Sequence, residues 1–288
     1  MIRWEQEPLK AHTTFHIGGP ARYYLIPECE EEILEAVDYA REKELPFYIL
    51  GKGSNVLFSD DGYEGVILEI GRGLEDVEIR EDGTVTAQAG IALSVLAARL
   101  AVEGLTGFEF AGGIPGTLGG GITMNAGAYG GEIRDCILRA KVLTPKGEVQ
   151  VLEREELELG YRTSIIQKKQ YIVLEGEFAF QKGNMIAVQE KMRDLARRRR
   201  DKQPLEYPSA GSTFKRPAGH FAGKLIEDAG LRGYRIGDAQ VSEKHCGFVI
   251  NRGAATAAEV AQVIADVQEK VREQTGIMLE PEVRMIGF

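Results

Sequence analysis

One segment of the chain, from Ala111 to Gly130, is crowded with glycine. It reads AGGIPGTLGGGITMNAGAYG, and eight of its twenty residues are glycine. Glycine loses more conformational entropy on ordering than any other residue, so an ordered segment of this kind needs a specific reason. Apolar side chains such as Ile114, Leu118 and Ile122 stand among the glycines, whereas flexible linkers are glycine and serine with little to bury. The segment therefore predicts an ordered backbone that either makes tight turns or is approached closely by a ligand.

A second glycine patch, GKGSN at positions 51–55, directly follows the apolar run FYIL, which is typical of a strand. Consecutive backbone amides that no side chain covers form concavities that bind anions such as a diphosphate. Neither patch contains the P-loop pattern GxxxxGK[ST], and neither fits GxGxxG between a strand and a helix. Together the two patches predict a nucleotide or dinucleotide ligand without a Rossmann motif.

The composition is that of an ordinary globular protein of two or three domains. Of 288 residues, 43% are apolar and 27% are charged, with a net charge of −9. The cysteines Cys29, Cys136 and Cys246 are odd in number and far apart, which argues against disulfides and favours a reducing compartment. No apolar run is long enough to span a bilayer, and MIRWEQEPLK does not have the pattern of a signal peptide. We expect a cytoplasmic protein without a membrane partner.

A basic run, RDLARRRRDKQP, occupies positions 193–204 and follows an apolar pattern with helical spacing. Three interpretations are open. The first is that the arginines end a helix and complement its dipole, the second that they form an anion site for phosphates, and the third that they bind nucleic acid. Nucleic acid is the least favoured, because the chain is acidic overall and the run lacks the interleaved aromatic residues of a base-stacking surface.

The order of predicted elements indicates an α+β protein. A strand, a helix and a strand up to residue 50 suggest a βαβ-like unit, and short strands with one helix at 94–105 follow. After residue 202 the sequence is rich in Pro, Gly and Ser, which indicates a domain junction. The last helix is well signalled, because Thr256 and Glu259 form a capping-box pattern and Gly276 ends it. His245 and Cys246 are adjacent and rarely chelate one ion in that arrangement, so no metal site is predicted.

Seven blocks of the sequence, in order, resemble the UDP-N-acetylenolpyruvoylglucosamine reductase family, flavoenzymes of bacterial peptidoglycan precursor synthesis. They are HTTFHIGGPA (12–21), GKGSNVLFSD (51–60), GGIPGTLGGGITMNAGAYGG (112–131), YRTS (161–164), PSAGSTFKRP (208–217), GYRIGDAQVSEKHCGFVIN (233–251) and LEPEVRMIG (279–287). The resemblance implies an FAD-binding fold of the vanillyl-alcohol-oxidase type. Its two α+β subdomains would be 1–65 and 66–199, followed by an α+β substrate-binding domain at 200–288.

The resemblance also implies the cofactors and the reaction. NADPH reduces FAD, and the flavin then delivers hydride to the enolpyruvyl ether of UDP-N-acetylglucosamine, which gives UDP-N-acetylmuramate. The two glycine patches would hold the FAD diphosphate. The FAD-binding residues so implied are Gly51, Lys52, Gly53, Ser54, Asn55, Val56, Gly113, Ile114, Pro115, Gly116, Thr117, Gly120, Asn125 and Gly127.

Three residues match the catalytic motifs of the family. Ser212, in AGSTF, corresponds to the proton donor, and Arg162, in GYRTS, to the arginine that stabilises the enolate. Glu282 corresponds to the carboxylate that acts with that arginine, although Glu280 is only two residues away and would share its face in a strand. Without the resemblance, each of them would be read as an ordinary turn or surface residue.

The resemblance also implies which residues hold the substrate. Lys202 matches a family position for the UDP-sugar, and we expect one of Arg197 to Arg199 to join it, with Arg198 as the candidate. Arg216 replaces an asparagine of other members and would reach a phosphate or the uracil. The tyrosine-bearing loop of longer members is absent, so this is the shorter type, and we expect a monomer. Two alternative functions are an oxidase of the same fold and a nucleic-acid-binding protein.

Overall fold

The computed structural model describes all 288 residues, and the contacts within the chain divide it into two compact units. The first unit comprises Met1–Trp4, Tyr24–Lys52 and Gly65–Arg199. The second comprises Glu5–Tyr23, Gly53–Glu64 and Arg200–Phe288. The predicted three-domain division at residues 65 and 199 stays a prediction.

Seven α-helices and eighteen β-strands form the two units. The helices are α1 Glu30–Glu42, α2 Leu93–Val102, α3 Leu118–Thr123, α4 Ile165–Lys169, α5 Met185–Lys202, α6 Ala222–Asp228 and α7 Ala257–Thr275. The strands are β1 Ile2–Pro8, β2 Pro20–Ile26, β3 Phe47–Leu50, β4 Val56–Phe58, β5 Tyr63–Glu69, β6 Val77–Ile79, β7 Thr84–Gln88, β8 Leu105–Thr106, β9 Gly127–Ala128, β10 Gly131–Glu132, β11 Ile137–Leu143, β12 Val149–Glu153, β13 Ile172–Ala179, β14 Gln181–Lys182, β15 Arg235–Ile236, β16 Ala239–Val241, β17 Val249–Asn251 and β18 Arg284–Ile286. None of the helices is long and apolar enough to cross a membrane.

The first unit is built on a five-stranded antiparallel sheet of order β12-β11-β13-β7-β6. A turn that contains Lys146 and Gly147 joins β11 to β12. Helix α3 packs on β13 at Gly176, where an added Cβ would lie 2.8 Å from Cδ1 of Ile122. Because Gly176 has no side chain, the glycine-rich helix packs directly on the backbone of the sheet at this position.

The predicted βαβ-like unit differs from the structure in its strand order. Strand β2, helix α1 and strand β3 form as expected, but the sheet order is β1-β2-β5-β3. Strand β5 lies between β2 and β3 and pairs in parallel with β3. Periodicity along the chain identifies strands but not their neighbours, because pairing is decided by long-range packing.

The second unit has a compact core between α6, α7 and the sheet β15-β16-β17. Four residues on one face of α7 are buried in this core as the helical spacing predicts: Val260, Ile264, Val267 and Val271. Only three residues of the expected last strand are regular, and they form β18, which pairs in parallel with β4. Strand β18 thereby places the LEPEVR segment beside the chain that follows the first glycine patch.

The start of α7 has one more hydrogen-bonding partner than the sequence pattern indicates. The capping box is present, since the Thr256 hydroxyl accepts from the amide of Glu259 and the Glu259 carboxylate accepts from that of Thr256. In addition, the two carboxylate oxygens of Asp60 accept from the amides of Ala257 and Ala258, at 2.8 and 3.0 Å. Asp60 is 197 residues away in sequence, so no local pattern could reveal it.

We predict that Asp60→Ala lowers the free energy of unfolding by about 1–2 kcal/mol, because two amide donors at a helix start lose a charged acceptor. Urea denaturation monitored by circular dichroism measures the change. The control is Asp61→Ala, whose carboxylate is exposed and accepts no bond from α7. Equal loss in both variants would contradict a capping role for Asp60.

Candidate functional site

Part of the glycine content of residues 111–130 serves packing within the first unit. A Cβ on Gly119 would lie 3.0 Å from Cβ of Ala89, and one on Gly121 would lie 3.2 Å from the side chain of Leu93. These glycines let α3 lie directly against its neighbours. The interpretation of the whole cluster as a ligand surface is therefore too broad, because close helix packing accounts for several of its members.

Gly120 is different from its neighbours in α3. It is exposed, its φ is not positive, and a Cβ there would meet no protein atom closer than Oγ1 of Thr117 at 3.6 Å. Alanine is favoured over glycine in a helix by about 1 kcal/mol. Nothing within the protein therefore explains glycine at this position, which fits a backbone that a ligand must approach.

The start of the first glycine patch contacts the second patch within the first unit. A Cβ on Gly51 would lie 2.5 Å from Oγ1 of Thr117, a distance that no real side chain allows. Thr117 is almost fully buried, and its hydroxyl caps α3 by accepting from the amide of Gly120 at 3.4 Å. Sequence analysis did not predict α3, since its LGGGIT sequence has poor helix propensity and the helix depends on this cap and on packing.

The amides of residues 51–55 donate to no acceptor within the protein. Gly53 has a φ of +58° and lies against the backbone of His12, so a side chain would be both strained and crowded there. The unpaired amides of Gly51 and Lys52, in the same unit as the exposed helical Gly120, suit a diphosphate. The residues present thus fit the FAD that the family resemblance implies, and the FAD contacts of Lys52, Ser54 and Val56 stay predictions.

Asn125, a predicted FAD-binding residue, is fully buried and already engaged. Its Oδ1 accepts from the amide of Arg134 at 2.9 Å, and its Nδ2 donates to the carbonyl of Gly160 at 3.0 Å. Its φ of +41° is one that asparagine tolerates better than most residues. In this structure Asn125 joins the end of the glycine segment to the turn that carries Arg162.

That turn is held at three points. Besides Asn125, the hydroxyl of Ser164 donates to the carbonyl of Thr123 at 2.7 Å. The guanidinium of Arg162 donates to the carbonyl of Gly127 at 3.3 Å. Arg162 itself has a φ of +56°, so a non-glycine residue is kept in a left-handed conformation at this position. A strained backbone conformation of this kind persists where surrounding contacts hold it, and it is often found at functional sites.

In the second unit, Ser212 and Glu282 are brought together through the backbone. The amide of Glu282 donates to the carbonyl of Thr213 at 2.8 Å, next to Ser212. The Nδ2 of Asn55 donates to the carbonyl of Glu282 at 3.1 Å. Asn55 belongs to the first glycine patch, so one of its last residues is tied directly to the predicted catalytic glutamate.

The two candidate glutamates have different surroundings. The carboxylate of Glu280 is largely exposed and forms an ion pair with Lys215. Glu282 is half-buried, its carbonyl accepts from Asn55, and its amide donates to the carbonyl of Thr213. Ser212 is exposed, and its hydroxyl makes no hydrogen bond within the protein. The surroundings favour Glu282 over Glu280 for chemistry beside Ser212.

The basic run ends α5, as one of the three interpretations predicts. Arg197 and Arg198 are exposed, and both pair with Asp194, at 2.5 and 2.7 Å. Arg199 is half-buried instead, with its Cδ 3.1 Å from where a Cβ of Gly113 would be. Burial lowers the pKa of the Arg199 guanidinium from its ordinary value, and the Tyr129 phenol opposes this shift. The substrate contact of Arg198 stays a prediction, whereas Arg199 is the arginine that contacts the glycine segment.

His245 is a residue whose importance the sequence did not show. Its Nδ1 accepts from the amide of Gly247 at 3.1 Å, which leaves the proton of the neutral ring on Nε2. Burial lowers the pKa of His245, and the nearby positive charge of Lys202 lowers it further. The carbonyl of Gly247 accepts from the amide of Thr213, so His245 is connected to the Ser212 segment. No local pattern distinguishes this from an ordinary core histidine.

Two family models match this chain. The FAD binding domain matches residues 21–153, and the C-terminal domain of UDP-N-acetylenolpyruvoylglucosamine reductase matches residues 203–286. The first range contains both glycine patches, and the second contains Ser212, Arg216 and Glu282. The α+β FAD-binding fold predicted from the sequence is confirmed, and the chain is an FAD-dependent oxidoreductase with FAD and NADPH as cofactors.

Close relatives cover nearly the whole chain. The UDP-N-acetylenolpyruvoylglucosamine reductase of Lachnoclostridium phytofermentans is 57% identical over 98% of this chain and 92% of its own length. That of Agathobacter rectalis is 52% identical over 98% and 93%. The crystal structure of the Thermus caldophilus reductase superposes with a TM-score of 0.85 at 32% identity, covering 99% of this chain and 98% of that one. The chain belongs to the UDP-N-acetylenolpyruvoylglucosamine reductase family.

We predict that Gly120→Ala weakens FAD binding and at the same time stabilises the FAD-free protein by up to about 1 kcal/mol, because alanine favours the helix. Fluorescence titration with FAD and thermal unfolding of the stripped protein measure the two effects. The control is Gly71→Ala, where a Cβ would meet nothing closer than 3.6 Å and which lies outside both patches. Unchanged FAD affinity in Gly120→Ala would show that the exposed glycine does not face the cofactor.

Proposed function

We propose that this chain reduces the enolpyruvyl ether of UDP-N-acetylglucosamine to UDP-N-acetylmuramate, the step of peptidoglycan precursor synthesis for which its family is known. The observation that carries the proposal is the connection of Asn55, Glu282 and Thr213 by two backbone-mediated hydrogen bonds. It ties a glycine patch suited to FAD to the segments that carry the predicted acid and its partner. A resident flavin, when bound, supplies the hydride that it takes from NADPH.

Ser212 is proposed to deliver the proton that completes reduction at carbon 2 of the enolpyruvyl group. Its hydroxyl is exposed and unpaired within the protein, so it is available to a substrate. The flanking backbone is rigid, because the amide of Thr213 donates to the carbonyl of Gly247 at 2.8 Å and Phe214 forms a bridge with Pro281. A free serine is a weak acid, so position must supply much of its effect.

Arg162 and Glu282 are proposed to handle the negative charge that develops on the substrate carboxylate. A guanidinium contacts a carboxylate through two parallel hydrogen bonds and remains charged throughout. The strained, three-point-held turn of Arg162 supports this role, since it fixes the backbone from which the guanidinium extends. For Glu282 the support is its half-buried place beside the Ser212 segment.

Lys202 is proposed to meet the substrate diphosphate, with Arg198 and Arg216 as further cations. The support for Lys202 is the family motif that contains it, DKQP. The roles of the remaining predicted FAD contacts, including Ile114, Pro115 and Gly116, are proposed on the same family basis. We also propose that the protein acts as a monomer in the cytoplasm, and free cysteines throughout support the reducing compartment.

The function is tested by anaerobic reduction of the FAD-loaded protein with NADPH, followed by addition of enolpyruvyl-UDP-N-acetylglucosamine. We expect the visible flavin absorbance to bleach and then to recover stoichiometrically with substrate. Recovery only on admission of oxygen would indicate an oxidase of the same fold instead. Retention on single-stranded DNA that weakens steeply with salt would favour the nucleic-acid alternative.

Ser212→Ala should leave bleaching by NADPH near normal and slow recovery by the enolpyruvyl substrate by about 10²–10⁴-fold, the usual contribution of a positioned acid. Stopped-flow absorbance separates the two half-reactions. The matched control, Ser94→Ala, removes an exposed hydroxyl on α2 in the first unit and should change neither. Equal slowing of both half-reactions by Ser212→Ala would remove Ser212 from the protonation step.

A further inference from the structure

One exposed aromatic ring lies in the same chain segment as Ser212. Phe221 is 63% exposed although it directly precedes α6, whose residues Ala222, Leu225 and Ile226 are buried. Single exposed apolar residues are common and need no explanation. This ring, however, is not alone, because the guanidinium of Arg216 lies 3.9 Å from its centroid.

A tight turn brings the two side chains together. The amide of His220 donates to the carbonyl of Pro217 at 3.1 Å, and Gly219 has a φ of +73° at the third position of the turn. Arg216 and Phe221 flank this turn on either side. Their pairing is therefore a product of local backbone geometry and does not depend on flexible surface side chains meeting by chance.

Both ends of the turn are anchored in the second unit. Before it, the amide of Lys215 donates to the carbonyl of Glu280 at 2.8 Å. After it, the carbonyl of Phe221 accepts from the amides of Lys224 and Leu225, at 3.0 and 3.1 Å. The backbone beneath the ring is thus fixed while the ring faces solvent. Because the guanidinium covers one face, the opposite face and the rim account for the exposed area.

An exposed ring face backed by a cation suits a planar base attached to phosphates. Aromatic rings stack on nucleobases regardless of sequence, and arginine adds attraction both to the ring and to phosphate. Arg216 is four residues from Ser212, so the two positions are at most about 14 Å apart along an extended chain. In the substrate the base is joined to the reacting group through a diphosphate and a hexose, so the residues that bind the base must lie at a comparable distance from the acid.

We propose that Phe221 and Arg216 form a stacking platform for the uracil base of the substrate nucleotide, an inference that rests on the proposed function. Phe221 supplies the face on which the base lies. Arg216 holds the ring in place and turns its charge toward the phosphates. The shared chemistry is that of a nucleoside diphosphate, and the adenine of NADPH is the other base that such a platform would meet.

The experiment uses the oxidised, FAD-loaded protein and isothermal titration with UDP, NADP⁺ and inorganic pyrophosphate. In Phe221→Leu, which keeps apolar volume but loses the flat face, we expect UDP to bind about tenfold more weakly. Pyrophosphate affinity, NADP⁺ affinity and the rate of bleaching by NADPH should not change. Phe221→Trp should bind UDP as the wild type does, because the aromatic face is restored.

The matched control is Phe288→Leu, which replaces a ring of similar exposure, 61%, in the same unit and should bind UDP normally. An unchanged UDP dissociation constant in Phe221→Leu overturns the platform. Equal weakening of UDP and NADP⁺ overturns the assignment to uracil. The proposed function fails if the flavin absorbance of the wild type does not recover when the enolpyruvyl substrate is added. Selective loss of UDP affinity in Phe221→Leu would still support a uracil platform in that case.

Discussion

The contact between Gly51 and Thr117 is the constraint on which the cofactor side of the structure depends. No side chain fits at position 51, because its Cβ would lie 2.5 Å from the Thr117 hydroxyl. The same hydroxyl caps α3, so the Thr117 hydroxyl lies against the residue that follows β3 and also caps the start of the glycine-rich helix. Gly51 and Thr117, more than 60 residues apart in sequence, are brought together by this single approach.

The substrate side depends on backbone hydrogen bonds of a different kind. Glu282 is bonded through its amide to Thr213 and through its carbonyl to Asn55. Three segments that carry family motifs are therefore joined without using any of the proposed catalytic side chains. The hydroxyl of Ser212 is exposed and makes no hydrogen bond within the protein, so it can reach a substrate. In a site of this type the main chain sets the geometry, and the side chains that project from it supply the chemistry.

Glycine has three separate uses in this chain. At Gly119, Gly121 and Gly176 its missing side chain permits close packing of α3 on its surroundings. At Gly53 and Gly219 it permits a positive φ in a turn. Gly120 alone among these meets no crowding and has no conformational need, and it is there that a ligand gives the best physical account. A count of glycines cannot separate these uses, because they differ only in what surrounds each residue.

The sequence by itself determined the local elements and the chemical class of the protein. The capping-box pattern of Thr256 and Glu259 together with Gly276 predicted α7, and ordered motif blocks indicated the flavoenzyme family. Tertiary structure decided the position of β5 between β2 and β3, the capping of α7 by Asp60, and the different surroundings of Glu280 and Glu282. It also decided that Arg199, rather than its neighbours in a uniform basic run, contacts Gly113. Local patterns report on residues a few positions apart, whereas these outcomes come from contacts between segments that are distant in sequence, which only folding brings together.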